Sequence, residues 1–175
     1  MPVNLIRKNI TFQPDSSRVI PRYMYSNDQR SAKLIMRVLA LSQKQHQETV
    51  VEVLRDYSKR HRSISSIFYK NFNRLVPILK HLNIDPASLS NAQKGLIGSY
   101  FTMEYSIEAA AFFNPSIMED PDQSGLSMGE KRVILSFRAT GEGHISSIVF
   151  RSGILDRQNN ILIEPPGKML ESPEH

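Results

Sequence analysis

The period of the apolar residues changes once along this chain, and that change limits the folds open to it. From about Asp28 to about residue 112, apolar side chains recur three and four apart, the spacing of one helix face. From Arg132 they alternate, with Val133, Leu135 and Phe137 on one face and Arg132, Ile134, Ser136 and Arg138 on the other. Helices followed by strands make an α+β protein. Three segments are expected: 1–112, an extended N-terminal arm and about four helices; 113–164, antiparallel strands; and 165–175, a Pro- and Glu-containing tail expected to be disordered.

Within the first segment, residues 3–25 alternate weakly around Pro14 and Pro21, which predicts extended arms lying on another surface. The first helix spans about Asp28–Leu41, with Asn27 as N-cap. Ser42 and Gln45 form a Ser-x-x-Gln capping box that opens the second. The third begins near Ser63 and stacks Ile64, Phe68, Phe72 and Leu79, with Pro77 kinking or shortening it. The fourth starts after Ser90 and runs from about Asn91 to Phe112, with Leu96, Tyr100, Met103, Ile107 and Ala111 inward and Pro115 ending it. Glu104 and Glu108 would stand one turn apart on it. They suit a carboxylate pair for metal or acid–base work, but a polar strip on a packed helix is the simpler reading.

Residues 119–131 are turn formers, and strands are expected at about 132–138 and 145–151 around a tight Thr140–Gly143 connection. Residues 153–156 and 161–164 flank a hairpin-type turn at Gln158-Asn159-Asn160.

Composition excludes several classes. At 175 residues, 40% hydrophobic and 22% charged, the chain is globular in type. It has no apolar run near the roughly 20 residues of a membrane span and no signal-peptide h-region, so a cytoplasmic protein is expected. With no cysteine there is no disulfide, thiolate metal site or cysteine nucleophile. Residues 1–100 carry 16 Lys and Arg against 6 Asp and Glu, and residues 101–175 carry 6 against 11. A basic half can bind nucleic acid, but here the basic residues are scattered and lack an aromatic platform or a reading helix.

Gly141-Glu142-Gly143 lacks the Gly-Lys-Ser/Thr ending of a phosphate loop. His144 lies near Ser146 and Ser147, yet a Ser–His dyad needs an orienting group and an oxyanion hole, so a structural histidine is the simpler reading. Arg138, closing a strand beside a glycine loop, is placed to grip hydroxyls or an oxyanion with its fork of donors. Asn114, before a proline on a turning chain, can present its amide for the same purpose. Both could instead satisfy backbone carbonyls.

These residues carry a resemblance. Phe113-Asn114-Pro115-Ser116-Ile117, Pro121-Asp122-Gln123-Ser124-Gly125-Leu126 and the run from Arg138 to Ile148 (Arg-Ala-Thr-Gly-Glu-Gly-His-Ile-Ser-Ser-Ile) are similar to the first blade of glycoside hydrolase family 130. That family comprises β-mannoside phosphorylases and β-mannosidases on a five-bladed β-propeller. Arg60-His61-Arg62, Leu96–Phe101 and Glu104–Ala111 resemble the helical N-terminal extension of one branch of it. The resemblance implies that Asn114 and Arg138 bind the mannosyl unit, with Ser116 and His144 nearby. It implies no metal or organic cofactor, with inorganic phosphate as co-substrate in a phosphorylase. Glu119-Asp120-Pro121-Asp122 does not match the family's general-acid motif, so the chain is expected to be an N-terminal fragment, inactive alone. Its expected partners are a β-mannoside-type carbohydrate and either the remainder of a propeller as a separate chain or another copy of itself. A helical interaction or scaffolding module and a basic nucleic-acid binder are the competing expectations.

Overall fold

A computed structural model describes residues 5–167 and 169–170. The protein is α+β, with five α-helices and two antiparallel sheets among the described residues. It divides into two compact units. One is Val19–Tyr105; the other joins the described residues up to Arg18 with those from Ser106 to Gly167. These units do not coincide with the segments 1–112 and 113–164, because the start of the arm belongs with the strands. Of the expected disordered tail, 168 and 171–175 lie outside the described residues.

The helical unit contains strand β1 (Val19–Tyr23), helices α1 (Asp28–Leu39), α2 (Gln43–Tyr57), α3 (Ile64–Asn73), α4 (Val76–His81) and α5 (Asn91–Tyr100), and strand β2 (Thr102–Ser106). Its helix starts follow local chemistry. Arg30 N donates to Asn27 Oδ1 at 2.9 Å. Reciprocal bonds join Ser42 to Gln45 (2.9 and 3.3 Å) and Ser90 to Gln93 (2.9 and 3.2 Å), so both capping boxes are complete. The expected third helix is two helices. Pro77 falls in the first turn of α4, where its missing N–H leaves no bond unmade. Ile35, Val38, Phe72, Leu75, Leu96 and Ile97 are at the centre of the core. Gly98 lets α5 approach α3, since a Cβ there would lie 2.0 Å from Phe68 O.

The expected fourth helix is corrected. It stops at Tyr100, and the chain continues as β2, which pairs with β1. Met24 N donates to Phe101 O at 2.9 Å at one end of the pairing. Tyr100 and Met103, expected inward on one stripe, are exposed and half-buried, while Thr102 and Tyr105 are buried. A helical stripe can be traced through 101–112, but β1, far upstream, offers the backbone a ladder instead. Glu104 and Glu108 are therefore not a helical pair.

The other unit is a four-stranded antiparallel meander, β3 (Ala111–Glu119), β4 (Lys131–Thr140), β5 (Ser146–Leu155) and β6 (Ile161–Ile163), in that spatial order. Pro115 lies inside β3, an edge strand, where a missing N–H is tolerated. One face of the sheet buries Val133, Leu135, Phe137, Val149 and Arg151. The arm packs with this unit: the Phe12 ring is 5.0 Å from Phe137, which stacks on Phe112 at 4.2 Å. Glu108, fully buried, fastens it. Its carboxylate meets Arg18 Nε at 2.8 Å and accepts from one Arg151 terminal nitrogen at 2.7 and 2.9 Å and from Asp15 N at 2.9 Å.

Candidate functional site

The site is the loop end of the meander, where β3 begins, β4 ends and β5 begins. The register of β3 on β4 slips by one residue: Phe113 pairs with Arg138, and Ser116 with Ser136. Asn114 and Pro115 thus share the single position Phe137, which is a β-bulge. Asn114 takes a left-handed backbone (φ 53°) there. Asparagine is among the few residues other than glycine that visit this region readily. The bulge breaks the strand's alternation at Asn114 and leaves its amide side chain exposed at the sheet edge.

Arg138 is held from two sides. Its Nε donates to Ser146 Oγ at 3.2 Å, and its guanidinium carbon lies 5.5 Å from the centre of the Phe113 ring. Ser146 Oγ is thus an acceptor for Arg138, a role different from that of a nucleophile beside His144. A guanidinium gripped through Nε and one face still presents the terminal nitrogens of its fork, a donor pair suited to adjacent hydroxyls. Arg138 is exposed.

His144 ends a one-turn 3-10 segment, Glu142–His144, in the loop from β4 to β5. Gly143 and His144 both have positive φ (69° and 61°), and Gly141 N donates to Ile145 O at 3.1 Å, closing the loop. Ser116 is one pair further along the sheet than Arg138. The fold therefore brings Asn114, Arg138, Ser116 and His144 to one end of one sheet. Sequence reasoning missed the support given by Phe113 and Ser146. Neither is marked in the alternation of 132–138: Phe113 is the β3 partner of Arg138, and Ser146 stands opposite Thr140, two residues further along β4.

The two carboxylates singled out in the sequence have other tasks. Glu104 accepts from Arg60 Nε at 2.6 Å and bonds His61 Nε2 at 2.7 Å. Burial pulls its pKa up, but the bonds from Arg60 and His61 outweigh this and hold it below the ordinary glutamate range. Burial is likewise the largest influence on Arg18, lowering its pKa. Among the described residues no cluster of His, Cys, Asp and Glu has the arrangement of a metal site, and no helix is long and apolar enough to cross a membrane.

The geometry defines an α+β protein with an exposed polar constellation at the end of an antiparallel sheet. Compared with family models, with curated proteins and with solved structures, the chain has no match in any of the three.

Proposed function

We propose that the loop end of the sheet is part of the sugar-binding site of a carbohydrate-active enzyme similar to the β-mannoside phosphorylases and β-mannosidases. The observation that carries this reading is the bulge. It sets the amide of Asn114 beside the pair that contains Arg138, with both side chains exposed at one end of the sheet. An amide and a fork of guanidinium donors are the polar groups that read vicinal hydroxyls, and the Phe113 ring supplies apolar surface of the kind a sugar's C–H face needs. Ser116 and His144 take supporting places at the rim. A four-stranded antiparallel meander also has the form of one propeller blade.

On this reading the chain supplies substrate-binding groups, and the general acid and phosphate-binding residues come from further blades, so the chain has no turnover by itself. Calorimetric titration with methyl β-mannoside tests the binding. Weak saturable binding, near millimolar, should be lost at least tenfold in Arg138→Ala. Equal binding by wild type and Arg138→Ala would contradict the reading.

A second reading, a helical interaction module whose β segment docks a partner, is favoured by the uncovered face of the same sheet, the face that also carries Phe113 and Arg138. There Met118, Ile148, Phe150 and Leu162 are 62, 63, 60 and 70% exposed.

A further inference from the structure

The meander is covered on one face only. On the other face the pairings Phe113–Arg138–Ile148, Ser116–Ser136–Phe150 and Met118–Ile134–Ser152 lie in successive rows, with Leu162 opposite Ile154 beyond them. Phe113, Met118, Ile148, Phe150 and Leu162 of these rows are all exposed, and apolar side chains grouped on one open face mark an interaction surface. The serines between them and the partly open Ile134 and Ile154 extend the face over all four strands, and a standard interface takes roughly 800 Å² per partner.

Two further observations choose the occupant. Both edges of the sheet are poor templates for adding strands: β3 is bulged and carries Pro115, and β6 is three residues long. Association is thereby steered from edge to face. Residues 1–18 and 106–168, the part of the chain that carries this face, hold nine Lys and Arg against nine Asp and Glu. No net charge opposes the meeting of two such units, whereas residues 19–105 hold 13 against 6 and would repel their like. On the face itself, Arg132 lies 4.0 Å from Glu164, and Arg138 adds an exposed cation at the loop end.

We propose that this open face binds the same face of a second copy of the chain, giving a closed sheet-on-sheet dimer. Two identical faces meeting about a two-fold axis bury each other and leave nothing to propagate. The proposal rests on observations separate from the sugar reading and competes with it, because the row Phe113–Arg138–Ile148 belongs to both and a copy seated on it would cover Arg138.

Sedimentation and light scattering of the full chain at about 1 to 100 µM, a range bracketing ordinary dimer affinities, test it. The expected mass is about 40 kDa, twice the 20.0 kDa of one chain. Phe150→Lys with Leu162→Lys should return it to one chain's mass with the helical circular dichroism unchanged. Where that variant does not fold, a single cysteine decides, because the chain has none. Phe150→Cys should cross-link copies on oxidation and Lys44→Cys, on an exposed position of α2, should not. A monomer throughout the range, assemblies larger than a dimer, a dimer that survives in the folded double variant, or equal cross-linking at both positions would each overturn the proposal.

Discussion

Two asparagine atoms and a backbone angle carry much of the account. At Asn114 the positive φ suits asparagine and glycine and penalises a β-branched side chain. Asn114→Gly should therefore keep the fold's stability within a few tenths of a kcal/mol while losing the amide, whereas Asn114→Val should cost about 1–3 kcal/mol in urea unfolding. Glu108 makes an opposite case, since its carboxylate is fully buried between Arg18 and Arg151. Glu108→Ala strands two cations and should cost about 3–5 kcal/mol, read from the same unfolding curves. Glu104 adds a pH dependence. Its folded pKa is lowered, so its contribution is present above the 4.5 of a free glutamate and is lost as pH falls through the lower folded value. Stability should drop more steeply below about pH 4.5 in wild type than in Glu104→Gln, as measured by melting across that window. Arg138 was legible as a ligand candidate because strict alternation from Arg132 fixes its face. The backbone of Asn114 was not, because Pro115 also reads as a helix stop, and only strand pairing reveals the bulge.

At the scale of elements, local signals were faithful where the structure is local. Asn27, Ser42 with Gln45, and Ser90 each announce a helix start, and each is where a helix begins; the Gln93 half of the second capping box is added by the structure. The misread stretch is the one whose partner is remote. Residues 101–112 carry apolar residues at helical spacing, yet β2 forms because β1 is available to it. Register with a distant strand leaves no mark in a window of a dozen residues. The Glu104–Glu108 pairing fell with it, since one-turn spacing has meaning only on a helix. The contact of α5 with α3 is tight at Gly98, where the obstacle is the backbone of Phe68 rather than a movable side chain. Gly98→Ala should therefore cost about 2 kcal/mol, opposite in sign to a typical exposed helical Gly→Ala exchange, which stabilises. Thermal unfolding followed at the helical dichroism band checks it.

For the whole molecule, the α+β class and the order of helices before the main sheet follow from the single change of period. The grouping of the arm with the sheet does not, because it rests on Phe12 against Phe137 and on a carboxylate at position 108 that gathers residues from two distant parts of the chain, Asp15 with Arg18 and Arg151. On the proposed reading the general acid comes from further blades, and that reading is checked at this scale. Purified chain incubated with a β-mannoside and inorganic phosphate should release no mannose 1-phosphate. The central claim, that Asn114 and Arg138 together form a sugar cradle, is most directly tested by chemical-shift mapping of the labelled chain during titration with methyl β-mannoside. Saturable shifts of the Asn114 side-chain amide and the Arg138 Nε–H are expected, with smaller ones at Ser146 and His144, all abolished in Arg138→Ala. Shifts confined to the helices, or none at the loop end of the sheet at saturating sugar, would contradict it.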